Sequence, residues 1–508
     1  MTGARFVLGH DVGTSGDKAV LCDLDGRTVA TASRHYGLHR PKPGWVEQDP
    51  EGLVHAVLST SRELAATARA EGGEVVAMAV SGQMFNVVPV APDGVHLAPM
   101  LSWLDDRAGP QAEGIGKTLD KEAQFERYGN VFTAKDIVPK ILWLRGEVPE
   151  AAGTGTVFLD CKDAVNARLT GRRATDHAGA SAYFVYDVDE RRWNVAGAAE
   201  LGIPGEQLPD AVAASQALGT LTAATARSTG LDPSVDVVAS AGDVPAGQVG
   251  AGAARPGQAH LSLGTASYFG VSLDRPLVDP GKRLGVLCHM DPARWLLWAE
   301  METGGGALAW WRDVLGGAVD GGRADPGELD RLAVHVRPEE VGVLFAPWLT
   351  GERVPLWDDQ ARGAFVGIGI HHGLAHLTRA VMEGIAYQLR WVLEYAEAFG
   401  VPIDEVRLIG GHGLGGVLPQ VVADVLGKPL DLVADPQHAG ARGAALCALA
   451  ACGHGSLDEL ADATPLAGRI DPDRRYQALY DDRFGRFTKL RDRLAPLVRP
   501  PGRPRRRR

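Results

Sequence analysis

The chain has 508 residues, more than one hydrophobic core supports, so at least two domains are expected. Hydrophobic residues make up 45% and charged residues 23%, ordinary values for a soluble globular protein. The net charge of -11 gives no general attraction to nucleic acid or anionic membrane, and the basic run from Arg499 to Arg508 reads as a solvated, disordered end.

In chain order, "RFVLGHDV" and "DKAVLCDL" read as strands joined by the turn "GTSG". "DLDG" supplies the next turn and leads into a further strand, "RTVATASRHY". After the proline loop "PKPGWVEQDP", apolar spacing predicts an amphipathic helix from Glu51 to about Ala70. "EVVAMAVSGQM" reads as a buried strand and "NVVPV" as a short one. This mixture of hairpins and strand–helix alternation argues for an α/β architecture with mixed sheets.

A related arrangement starts again in mid-chain. "DVVASAGDVPAGQVGAGA" is strand, glycine turn and small-residue helix, and "AHLSLGTASYFGVSL" is a second strand, Gly-Thr turn, strand unit. The pair suggests duplicated domains, each presenting a Gly-Thr hairpin. The boundary falls near Pro245 to Gly257, giving domains 1–244 and 245–497 and a tail 498–508. The second half adds a long helix, "LAHLTRAVMEGIAYQLRWVLEYAEAFG", a strand "EVRLIG", a helix "VLPQVVADVLG" and the small-residue helix "HAGARGAALCALAA".

Cys22, Cys161, Cys288, Cys447 and Cys452 form no Cys-x-x-Cys pair and are odd in number, so they read as reduced core residues. Asp11 and Lys18 interrupt the only apolar stretch that could serve as a secretion signal, and no uncharged run is long enough to span a bilayer. A soluble cytoplasmic protein is expected.

Gly-Thr hairpin turns offer backbone N–H groups and a hydroxyl with no bulky side chain in the way, a concavity that suits phosphate oxygens. Asp11, at the mouth of the first turn, would repel phosphate but can hold Mg²⁺ directly or through water. Lys18 adds a point charge. A plain hairpin with a surface acid fits the same residues, and the loop is not a Walker A sequence. Asp243 ends an apolar strand at "SAGDVPAG", where a carboxylate can take the proton of an attacking hydroxyl or simply cap the following helix.

The chain resembles the FGGY carbohydrate kinases from about Val7 to Ala451. The resemblance is carried by "DVGTSGDKAV", "GWVEQDPE", "SGQM", "LSWLDDRA", "GNVFTAKDIVPKILWL", "SAGDVPAG", "LSLGTAS", "LTGERVPLWD", "GAFVGIGIHHGLAHLTRAVMEGIAY", "LIGGHGLGGVLPQ" and "AGARGAA", in that order. Within the family it is most similar to xylulokinases. The resemblance implies two actin-like, ribonuclease-H-like domains with mixed sheets and an active-site cleft between them. It implies transfer of the ATP γ-phosphoryl to a sugar hydroxyl, with ATP and Mg²⁺. By the same resemblance Asp243 matches the catalytic base and Asp11 the acid that organises the metal and phosphates. Thr14, Ser15 and Lys18 match the first phosphate loop, and Gly264 and Thr265 the second. Gly305 and Gly411 match positions around the nucleotide. Met84, Phe85, Trp103, Asp105 and Arg107 fall where these kinases hold the sugar. A sugar and ATP are the expected partners, without nucleic acid or membrane; a homodimer stays open.

Four positions depart from the xylulokinase pattern. Phe85 stands where His is usual, Val244 where Asn follows the base, Leu104 where Asn follows the tryptophan, and "GGHG" brings His412 to the nucleotide region. Two of these changes remove hydrogen-bonding groups from where a polyol should lie, and a site built to bond a hydroxyl loses roughly 10⁴-fold in discrimination when that partner is lost. D-xylulose is therefore expected to be a poor substrate, with a less hydroxylated or differently configured one preferred. Asp176 reads as a sugar contact or a turn residue, His371 and His372 as surface loop, Glu352 and Arg353 as a pair fixing a loop, and Trp310 and Trp311 as helix packing. The competing functions are an actin-like or chaperone-type ATPase, against which the sugar-region motifs speak, and a silent sugar sensor, for which loss of Asp11 or Asp243 would be the mark.

Overall fold

The computed structural model describes residues 3–264, 267–277, 279, 284–318, 326–356, 358, 360–401, 403, 405–410 and 416–498. The chain divides into two compact units. One comprises Met1–Pro256, Ser272–Leu297 and His438–Thr464; the other comprises Gly257–Val271, Trp298–Gln437 and Pro465–Arg508.

In the first unit six strands lie in the order Thr28–His35, Gly16–Asp23, Ala4–Val12, Gly73–Gly82, Asp236–Val238, Ala217–Thr220. Ala4–Val12 pairs antiparallel with Gly16–Asp23 and parallel with Gly73–Gly82, and its Phe6–His10 stretch is buried throughout, as a central strand covered on both faces must be. Thr28–His35 is mostly exposed and polar, which suits an edge strand. The helix Pro50–Ala70 starts where Asp49 accepts the Glu51 N–H and Pro50 takes the first turn. It buries Leu53, Val54, Val57, Leu64 and Ala65 in the core beneath the sheet. A buried polar chain ties this helix to the first hairpin. Thr60 Oγ1 donates to Asp17 Oδ2 at 2.5 Å, His10 Nδ1 lies 3.2 Å from the same oxygen, and Ser61 Oγ lies 3.1 Å from His10 Nε2.

The helix Ala439–Ala451 packs against backbone rather than side chains. An added Cβ at Gly443 would stand 1.9 Å from the Ala246 carbonyl oxygen, and one at Gly250 1.9 Å from that of Ala439. At Gly9 it would stand 2.1 Å from the Ala441 oxygen. The small residues are thus a condition of that approach.

The second large sheet has seven strands, in the order Gly285–Cys288, Trp295–Met301, Ser267–Leu273, Ala259–Leu263, Val406–Ile409, Leu430–Val433, Leu466–Ile470. Ala259–Leu263 again pairs antiparallel on one side and parallel on the other, and the next pairings are parallel and then antiparallel. The first sheet shows the same succession from its own central strand. The repeat glimpsed in two short stretches of sequence therefore extends over four successive strand pairings in each sheet. The helix Leu374–Glu397 is the spine of the second unit. Its Glu383 is buried and takes Arg483 at 3.2 Å and Arg379 at 3.6 Å.

Among the described residues no helix is long and apolar enough to cross a membrane. Cys22, Cys161, Cys288 and Cys447 are buried and unpaired as expected, whereas Cys452, just past the last turn of its helix, is exposed.

Candidate active site

In the first unit the strands Ala4–Val12 and Gly73–Gly82 end side by side, with Asp11 opposite Ser81 and Val12 opposite Gly82. Across the hairpin Asp11 faces Lys18. Asp11 Oδ1 is enclosed and has no hydrogen-bond partner. Burial pushes its carboxyl above the usual carboxylate range, Lys18 pulls it down and Asp17 pushes it up. The space beside it exists because residue 440 is glycine: a Cβ there would lie 2.7 Å from Asp11 Oδ2. Among the described residues no group of three His, Cys, Asp or Glu side chains is arranged to hold a metal ion. A single unpartnered acid beside an open backbone suits a cation that arrives already carried by phosphate.

The turn after Val12 is held by amides. Gln48 Nε2 donates to the Thr14 carbonyl at 3.0 Å, Gln83 Nε2 to Gln48 Oε1 at 2.7 Å, and Tyr36 Oη to the Gly13 carbonyl at 2.6 Å. Thr14 Oγ1 donates to Gln83 Oε1 at 3.4 Å and accepts from Trp103 Nε1 at 3.0 Å. Ser15 and Lys18 are exposed.

The segment after Gly82 makes a tight turn in which Phe85 has φ 64°. Asp160, buried at the start of the helix Cys161–Thr170, holds it. Its carboxylate accepts the N–H groups of Phe85 (2.9 Å), Asn86 (3.0 Å) and Cys161 (2.6 Å) and the Asn86 side-chain amide (2.9 Å). Burial lifts the Asp160 pKa to about 7 although the bonds from Asn86 and Cys161 pull it down. Buried Lys140 donates to the carbonyls of Phe85 (2.9 Å) and Ser102 (2.8 Å), and Asn86 Oδ1 accepts the Trp103 N–H at 3.0 Å. Met84, Phe85 and Trp103 are thereby set around one bend. Met84 fills the space a Cβ at Gly242 would take, its Cγ only 2.3 Å from where that atom would stand, which puts it beside Asp243, the first residue of the helix Asp243–Gly250. The buried Cys161 thiol, 3.8 Å from the Val12 carbonyl, is pushed up by burial and further by Asp243. Cys161 thus touches Val12, the residue after Asp11, and also feels the charge of Asp243.

Asp105 and Arg107 lie beneath Trp103 and bond to each other, at 2.7 Å between Arg107 Nη2 and Asp105 Oδ2. Asp105 also accepts the Val46 N–H at 2.6 Å, and Arg107 reaches Glu47 at 2.7 Å while lying 3.8 Å over the Trp45 ring.

In the second unit Gly410 approaches Leu263, the residue before Gly264, and Gly304, the residue before Gly305, approaches Ser267. Gly304 abuts Ser267 at the start of the helix Gly304–Ala318, and Gly410, at φ 95°, leaves no room for a Cβ against Leu263. The hydroxyls of Ser267 and Thr303 are buried there without partners. Thr265, Gly411 and His412 lie outside the described residues, as does the basic tail.

Sequence reasoning passed over Asp160, Lys140 and Asn86; an Asp standing as the cap of the helix Cys161–Thr170 was the one signal available for the first. Phe184 was also missed. Asp176 proves to be a buried cap, accepting the Ala178 and Gly179 N–H groups at 2.8 and 3.1 Å and pairing with Lys162 at 3.0 Å. Glu352 and Arg353 do fix a loop, but through Glu302: Glu352 accepts its N–H at 3.1 Å and Arg353 pairs with its carboxylate at 2.7 Å. Trp311 packs and bonds Thr378, and His371 stacks on His372 at the surface.

The described geometry agrees with comparisons to known proteins. Residues 6–250 match the N-terminal domain, and residues 259–452 the C-terminal domain, of the FGGY family of carbohydrate kinases. The chain is 32% identical to a xylulose kinase of Escherichia coli (strain K12), covering 97% of this chain and 99% of that one. It is 27% identical to a gluconokinase of Bacillus subtilis (strain 168) over 90% of both chains. A solved xylulose kinase from Rhodospirillum rubrum superposes with a TM-score of 0.87 at 30% identity, covering 97% of this chain and 100% of that one. The chain belongs to the FGGY family of carbohydrate kinases, ATP-dependent phosphotransferases with an actin-like fold.

Proposed function

We propose that this kinase transfers the γ-phosphoryl of ATP to a hydroxyl of a ketose or polyol held around Met84, Phe85 and Trp103, with Asp243 as the base. What supports the reading is that Asp11 sits at the end of a central strand beside the strand that leads to Met84, while Met84 lies against Gly242, the residue before Asp243, and Trp103 bonds Thr14. Asp243 takes the acceptor proton and orients the oxygen in line; little covalent work falls on the protein in such a transfer, and positioning dominates. The glycine-lined turn at Gly13–Gly16 lets backbone approach the phosphates, and Gly264 and Gly305 serve the nucleotide in the second unit. Asp11 would hold Mg²⁺ travelling with ATP, whose charge neutralises the phosphoryl oxygens. Asp105 and Arg107 act from below by fixing the loop that carries Trp103.

A panel of ketoses, aldonates and polyols, read by ADP release, tests the acceptor class. ADP formed at the same rate with and without sugar would replace the transferase reading by that of an ATPase. Asp243→Asn is expected to keep ATP binding and lose transfer by about 10²- to 10⁴-fold. Near-normal kcat in that variant would remove Asp243 from the role.

A further inference from the structure

Among the described residues, Phe85 and Phe184 are the two aromatic ones with positive φ, at 64° and 61°. They face each other although 99 positions apart, with ring centroids 6.1 Å apart and planes 29° from parallel. Phe132 closes the back edge-on at 6.4 Å from Phe184. A bulky side chain in the left-handed region is strained, and such strain persists where the surroundings impose it and gathers at functional sites. At Phe85 the surroundings are two buried charges, one on each side of the residue: Asp160 on its N–H and Lys140 on its carbonyl. Both rings nevertheless stay partly exposed, next to Met84 and its contact with Gly242. A pair held this firmly yet left open on one face is poorly explained as core.

We propose that Phe85 and Phe184 form an aromatic wall of the acceptor site that selects sugars or polyols presenting a deoxy carbon to it. The inference rests on the reading of this bend as the acceptor site. A hydroxyl turned towards the two rings gives up water and finds no partner, whereas a methyl or methylene group gains contact. An apolar surface rejects an added hydroxyl only moderately, so the expected discrimination is about 10- to 100-fold in kcat/KM.

The test measures ADP release by the full-length protein with D-xylulose, D-ribulose, D-fructose and D-arabinitol, each against its 1-deoxy and its last-carbon deoxy analogues. One deoxy form is expected to exceed its parent by about 10- to 100-fold; the deoxy form lacking the accepting hydroxyl is inert. Phe184→Ser and Phe85→His are each expected to bring the ratio to about one while leaving the KM for ATP unchanged. A wild-type preference for the parent sugars overturns the wall and leaves the kinase reading standing. So does a ratio unmoved in both variants. Release no faster than without sugar for every compound overturns both. If the variants fail to fold, the wild-type ratio decides alone.

Discussion

Asp160 gathers four N–H donors on one enclosed carboxylate, and two of them belong to the residue next to Phe85. Asp160→Asn leaves a single acceptor oxygen facing those donors, and losing a charge-assisted set of this kind costs about 2 kcal/mol. The expected result is a raised KM for the acceptor with that for ATP unchanged; a uniform fall in kcat with both KM values constant would mark a role in folding alone. The group also carries a pH signature. Its folded pKa is about 7 against an ordinary 3.8, so between those values the folded state binds the extra proton. Its contribution to stability is complete below pH 4 and disappears as pH rises through 7. Denaturation midpoints of the wild type should therefore decline relative to D160N across that interval. At this scale the sequence was least informative. Asp11 and Asp243 stand out as acids beside small residues, but Asp160 and Lys140 act on Phe85 across 75 and 55 positions, separations that no local pattern encodes.

Elements were far more legible, because periodicity and caps are local. The helix expected from Glu51 to about Ala70 spans Pro50–Ala70, and the hairpins around both Gly-Thr turns fall where they were expected. The helix Ala439–Ala451 was recognised from its small residues, although what it approaches was not. Two neighbouring glycines in it separate stability from chemistry. Gly443→Ala forces a methyl group onto the Ala246 carbonyl and should cost about 3 kcal/mol in urea unfolding, the upper end for overpacking. Gly440→Ala instead meets the flexible Asp11 carboxylate. That variant should unfold close to the wild type and show a higher Mg²⁺ requirement. Equal destabilisation in the two, with no change in Mg²⁺ response, would disconnect this helix from Asp11.

For the molecule as a whole, two Gly-Thr stretches half a chain apart foreshadowed a duplication that the strand pairings extend. In both sheets a central strand has an antiparallel partner on one side and, on the other, two parallel steps followed by an antiparallel edge. Strand order was beyond the reach of composition, since pairing partners are chosen by tertiary packing. The copies differ in strand number, six against seven, and in how one edge is closed. The antiparallel edge strand precedes its neighbour in the first sheet and follows it in the second, so the two copies are closed by different pieces of chain.

Thr14 has one hydroxyl hydrogen, and Gln83 holds it at 3.4 Å while Trp103 occupies a lone pair. On the proposed reading, a phosphate oxygen at Thr14 would draw that hydrogen away and release an amide that also steadies the Gly13 and Gln48 side of the turn. Nucleotide and a sugar held at Trp103 would then be thermodynamically linked through the Thr14 hydroxyl, and the factor by which one alters the dissociation constant of the other must be the same in both directions. Equilibrium titrations of each ligand with and without the other measure that factor. Thr14→Val should bring it to unity.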